Sequence, residues 1–218
     1  KDNLRRMATA LRRAGWASLI VDSHGPRRYD RAQLWRLICT GQLLTGTERA
    51  ADVAVALNDA RAMLFVDRER LALVGASHGG WAVLEFLALA SVGEPPPILA
   101  SWPASIDAHG LDGVRGAVLL YPYCGPTSRT RLLDWQAPVA LQFILVEDDT
   151  IVAEADCARL AARLRDRGMT IDVRRLRGVT HGFDQATKAP FSTLEFAPEA
   201  AAAARRTTVR FLARHGRP

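Results

Sequence analysis

Short runs of consecutive apolar residues, many of them β-branched, alternate along the chain with longer stretches in which apolar positions return every three or four residues. An uninterrupted apolar run suits a strand buried on both faces of a parallel sheet, whereas the three-to-four spacing suits an amphipathic helix. On this pattern strands are expected over 17–22, 70–76, 116–123, 138–146 and 170–177, and helices over 2–14, 45–64, 80–90, 152–167 and 198–215. Helix and strand alternate from end to end, which predicts an α/β fold, a mainly parallel sheet with helices on both faces. Residues 93–113 hold Pro95-Pro96-Pro97 and Pro103, keep neither period and read as a long surface loop. With no internal repeat, 1–218 reads as a single domain.

Composition narrows the field. A chain of 218 residues, 49% of them hydrophobic, can bury a sizeable core. Charged residues interrupt every apolar stretch before the roughly 18 to 20 residues that a membrane span needs, so no membrane partner is expected. The net charge of +6 comes from scattered arginines rather than a basic block, which argues against a nucleic-acid partner but would help attract an anionic substrate. Cys39, Cys124 and Cys157 are odd in number and lack a Cys-x-x-Cys spacing, so neither a metal site nor a disulfide framework is expected. No metal or cofactor motif is seen, and a reducing, cytoplasmic location is the expectation. The stretch from Lys1 to Arg13 lacks the apolar core and cleavage site of a leader, and because the chain does not begin with Met an upstream leader stays open.

The candidate chemistry centres on Gly75-Ala76-Ser77-His78-Gly79-Gly80, between the apolar run 71–74 and the helical run 81–90. Gly-x-Ser-x-Gly at a strand-to-helix turn presents its Ser hydroxyl at the sheet edge, and glycines on both sides let strand and helix approach closely. The same turn aims the His78 N–H where it can donate to an oxyanion. A Ser that merely caps the helix is the simpler alternative, and a phosphate-binding loop is a weaker one because the Gly-x-x-x-x-Gly-Lys-Ser/Thr form is absent.

A serine nucleophile needs a base, and the base needs a carboxylate to orient it. The run 141–146 ends in Glu147-Asp148-Asp149-Thr150, which places carboxylates at the same sheet edge as Ser77. Asp149 is the first choice and Asp148 the second, while Glu147 and Asp148 are read rather as favouring the next helix's positive end. After the last strand, His181 lies in the Gly-flanked loop Thr180-His181-Gly182-Phe183, in the right order for the base. His24, His109 and His215 read as solvated, and the His78 side chain as surface or pocket wall.

Taken together, the chain resembles the dienelactone hydrolase family of α/β-hydrolases. The matching pieces are Ala14-Gly15-Trp16-Ala17 leading to Val21-Asp22-Ser23, the Ser77 turn, Leu120-Tyr121-Pro122-Tyr123-Cys124-Gly125, Glu147-Asp148-Asp149 and His181-Gly182-Phe183-Asp184. The resemblance implies an α/β-hydrolase fold, a Ser77–Asp149–His181 triad with Asp149 preferred over Asp148, and a small soluble ester or lactone as substrate. Two departures stand out. The namesake enzymes carry Cys where this chain has Ser77, and the family's early strands, with the loop supplying a second oxyanion donor, have no counterpart here. His24-Gly25 follows the wrong strand for that loop. The missing strand would lie between 17–22 and 70–76, so the expectation is an N-terminally incomplete domain or a sheet that closes over the gap. The short connection from 123 to 138 leaves little room for a lid, and Tyr123, Trp102 and Trp135 are candidates to line an open pocket. Cys124 is read as packing or pocket wall. A non-catalytic domain of this fold and a related peptidase stay open as alternatives.

Overall fold

The structure is a computed structural model that describes residues 2–28, 44–187 and 192–216. Cys39 lies outside the described residues. Helices α1 (Asp2–Arg13) and α2 (Gly46–Ala62) precede β1 (Leu71–Ala76), α3 (His78–Val92), α4 (Ala104–His109), β2 (Val114–Leu120), β3 (Ala140–Val146), α5 (Glu154–Asp166), β4 (Ile171–Leu176) and α6 (Pro198–His215). The four strands lie in the order β1-β2-β3-β4 and every pair is parallel.

The apolar runs of β2 and β3 are explained by burial on both faces. Ala117, Leu119, Leu141, Phe143 and Leu145 point to one core, filled by Leu57 of α2, Leu84 and Leu87 of α3 and Leu160 and Leu164 of α5. Val118, Leu120, Ile144 and Val146 point to the other, filled by Met7 and Leu11 of α1 and Phe211 and Leu212 of α6. Successive side chains of a strand face opposite ways, so covering both faces leaves no position for a polar residue except where it finds a partner. Two polar residues occur: Gln142 of β3 donates to Asp172 of β4 at 2.9 Å, and Arg115 near the start of β2 donates to Glu69 at 3.1 Å. The edge strand β4 carries Asp172, Arg174 and Arg175, charges that blunt an edge against pairing with another chain.

Four expectations need correction. Residues 17–22 form no strand; all six are exposed, with Leu19 at 53%. A strand exists only through its neighbour's ladder, and among the described residues none lies between this run and β1. Within 93–113, the single turn-and-a-half of α4 forms and buries Ile106. Strand β2 stops at Leu120 rather than 123, because Tyr121 turns to φ +36° and Pro122 has no N–H to donate.

The fourth concerns the cysteines, since Cys124 and Cys157 form a disulfide. They are 33 residues apart in sequence, and only the packing of α5 against the turn after β2 brings them together. The basis for inferring a reducing compartment is thereby removed, because such bonds persist mainly in oxidising surroundings. Loop-closure entropy for this separation corresponds to about 4 kcal/mol. Replacing both cysteines with Ala is expected to lower the urea midpoint accordingly; an unchanged midpoint would show that the bond does not form. No helix among the described residues is long and apolar enough to cross a membrane.

Candidate active site

Ser77 sits between β1 and α3 with φ 51° and ψ −121°, a conformation that side chains rarely adopt. Holding it there costs of order 1–3 kcal/mol, and the surroundings must enforce it. Its N–H is bonded to Leu120 O at 2.8 Å and its carbonyl accepts from Trp81 N at 3.1 Å. The flanking glycines are required by contact: a Cβ on Gly75 would lie 2.4 Å from Gly79 O, and one on Gly80 would lie 2.8 Å from Pro122 Cβ. His78, Gly79 and Gly80 open the helix, and their N–H groups are among the four that a helix start leaves without intrahelical acceptors.

The three residues singled out for a triad meet at one sheet edge. Ser77 Oγ lies 2.8 Å from His181 Nε2, and His181 Nδ1 lies 2.7 Å from Asp149 Oδ2. The His181 and Asp149 side chains are 4% and 1% exposed. The carboxylate fixes the tautomer: Nδ1–H donates to Asp149, which leaves Nε2 to accept from the Ser77 hydroxyl. The other oxygen of Asp149 accepts from Ile151 N at 2.8 Å and Val152 N at 3.1 Å. Burial alone would push the Asp149 carboxyl up, but the His181 hydrogen bond and charge and the two backbone N–H groups outweigh it, and the net shift is downward. Asp148 takes φ +57° in the turn, and Glu147 pairs with Arg177 on the surface. Neither caps α5, which starts at Glu154 with Ala153 as its cap.

The His78 imidazole is held in place on both sides. Its Nε2 donates to Leu44 O at 2.6 Å and its Nδ1 accepts from Arg49 at 3.0 Å. Burial first, and then the adjacent Arg49 charge, lower its pKa from 6.5 to about 4. The unfolded chain therefore takes up this proton near 6.5 and the folded chain only near 4, so the stability present above 6.5 is lost as pH falls toward 4. That shift corresponds to about 3 kcal/mol. Urea unfolding between pH 7 and 4 is expected to show this loss, and His78→Gln to flatten it; identical slopes would overturn the assignment.

Of the aromatic candidates, Tyr123 lies near the turn, its ring 4.7 Å from Trp81, which in turn lies 5.0 Å from His78. Trp135 does not line a pocket, because it is buried in the core with its N–H on Thr130 O. Trp102 lies against Phe86 with its N–H on Gly93 O, at the far end of α3 from Ser77. Their place in the sequence, in loops flanking strands, does not tell which end of the sheet a loop serves.

Two features escaped the sequence reading. Glu85 is fully buried on α3 and accepts from Trp81 Nε1, Ser128 Oγ, Arg129 N and Thr47 Oγ1, which holds Trp81 beside His78 and Tyr123. The four-residue spacing of Trp81 and Glu85 on one helix was the available signal. Arg49 is the other, a cation brought to His78 by α2 with no signal in its neighbours.

Residues 102–216, which include Asp149 and His181, match the dienelactone hydrolase family. No curated protein gives a significant match. Among solved structures, a dienelactone hydrolase-like promiscuous phosphotriesterase from metagenomic libraries superposes with a TM-score of 0.73 at 17% identity, over 99% of this chain and 81% of the other. A carboxylesterase of Lactobacillus plantarum gives 0.56 at 16% identity, over 77% and 67% of the two chains. A thermophilic esterase of the Planctomycetes species Thermogutta terrifontis gives 0.55 at 17% identity, over 81% and 69%. At these identities the likeness is one of fold, and the fold is of the α/β-hydrolase type.

Proposed function

This chain belongs to the dienelactone hydrolase family, and from that premise we propose that it hydrolyses carboxylic esters, lactones among them, through Ser77, His181 and Asp149. The observation that carries this reading is the continuous chain of hydrogen bonds from Ser77 Oγ through His181 to Asp149. Ser77 Oγ attacks the ester carbonyl carbon while its proton passes to His181 Nε2. The resulting oxyanion takes the N–H of His78, the first of α3, where the helix start favours negative charge. His181 then gives its proton to the departing alkoxide, leaving an acyl-serine and a free alcohol. Water, deprotonated by the same His181, cleaves the acyl-serine to the acid and restores Ser77. Asp149 keeps the imidazole in the required tautomer and stabilises its charged form. Tyr123, whose ring lies 4.7 Å from Trp81 on the helix that follows Ser77, is a candidate to line the pocket, and the short connection from 123 to 138 suits a small soluble ester.

The test is covalent. A fluorophosphonate needs an activated serine, so stoichiometric labelling of Ser77, with release of p-nitrophenol from short-chain esters, is the expected result. Folded protein that takes up no label and releases no p-nitrophenol would replace this reading with a non-catalytic domain of the same fold.

A further inference from the structure

Asp184, three residues past His181, is a buried acidic side chain, 7% exposed, that no step of the hydrolysis uses. It accepts the phenol O–H of Tyr121 and, at 3.3 Å, the Asn3 side-chain N–H. A buried carboxylate is costly to desolvate, and two apolar residues of similar size would close this space at lower cost. Its partner has its own cost: Tyr121 follows β2 at φ +36°, with its N–H on Ile144 O at 2.7 Å. The Tyr121 ring packs against two residues of the His181 loop, edge-on to His181 at 4.7 Å and 65° and to Phe183 at 5.5 Å and 74°. The N-terminus of α1 clasps the same loop a second time, since Asp2 accepts from Ala186 N at 3.3 Å.

We infer that Tyr121 and Asp184 are positioning residues, which lock the plane of the His181 imidazole by tying its loop to the end of β2. The reasoning is geometric. His181 must present Nδ1 to Asp149 and Nε2 to Ser77 at once, and rotation about the line joining these two atoms swings Cβ, so it is opposed only as far as the loop that carries Cβ is held. A phenol ring packed against the imidazole removes that rotation only if the ring is itself held, and the bond to Asp184, three residues past His181, holds it to the loop it positions. Burial, and then the Asp184 charge, raise the Tyr121 phenol well above its ordinary value, so the phenol keeps the proton it donates.

The inference rests on the proposed triad, and the test separates the two. Tyr121→Phe is expected to lower kcat about tenfold with KM unchanged, since a displaced base slows the chemistry without touching ground-state binding. It is also expected to broaden the low-field proton resonance of His181 Nδ1. Asp184→Asn by itself, which can still accept from the Tyr121 phenol, is expected to leave both readouts near those of the unaltered protein. The double variant Tyr121→Phe/Asp184→Leu replaces the phenol and the carboxylate with apolar groups, leaves the part-exposed Asn3 to solvent, and is expected to regain thermal stability. If the pair positions His181, this stable double variant keeps the low kcat and the broadened resonance; if it only holds the fold together, kcat and resonance recover with stability, and the inference falls. The resonance is read whether or not the protein turns over esters, so a protein without Ser77-dependent hydrolysis would overturn the proposed function alone.

Discussion

Ser77→Ala is expected to lower kcat for short-chain p-nitrophenyl esters by about a millionfold, to the level sustained by binding and oxyanion stabilisation alone. The size of the effect follows from the units that fail together: without Oγ there is no acyl-serine, and His181 and Asp149 have nothing to activate. KM should move little, because the methyl of Ala retains the packing of the turn. Circular dichroism should be unchanged and thermal stability close to that of the parent, since Ala keeps the Cβ that strains the position at φ 51° and loses only Oγ. The comparison requires the two proteins purified in parallel. A variant retaining a tenth of the activity would place the nucleophile elsewhere.

Asp149→Asn is expected to cost about ten-thousandfold in kcat, with the fold preserved. The direction in which the new amide lies is decided by the turn. Two backbone N–H groups, of Ile151 and Val152, already point at one oxygen of residue 149. They retain the amide oxygen on their side and turn the NH2 toward His181 Nδ1. An NH2 donates, so Nδ1 must accept and Nε2 must carry the hydrogen, which leaves no lone pair for the Ser77 proton. The variant should also lose a part of its acid sensitivity. Because the folded Asp149 carboxyl is lowered below 3.8, it contributes stability that is present above that value and lost as pH falls through the lower folded one. Measured kcat within a few-fold of the parent would assign the orienting carboxylate to Asp148 or Glu147 instead.

How much of this was legible in the chain depends on the range of the interactions. The apolar runs of β2 and β3 and the spacing of the helices could be read because burial on both faces acts residue by residue. Ser77 was legible for the same reason, since the turn it occupies is a local problem of sterics that Gly75 and Gly80 solve. Asp149 and His181 were legible as strand-end residues in the right order. The run 17–22 was misread because its composition suits a strand while its neighbour decides whether there is one.

Local chemistry along the chain thus settled the α/β pattern, the strained serine turn and the candidates for acid and base. Only the folded chain decided which residues from distant segments share a site: the closing of the Cys124–Cys157 bond, the Arg49 contact with His78, the withdrawal of Trp135 into the core, and the anchoring of Asp184 by Tyr121. The reason is that these depend on which elements the parallel order β1-β2-β3-β4 sets side by side, and each crossover carries residues tens of positions apart into contact.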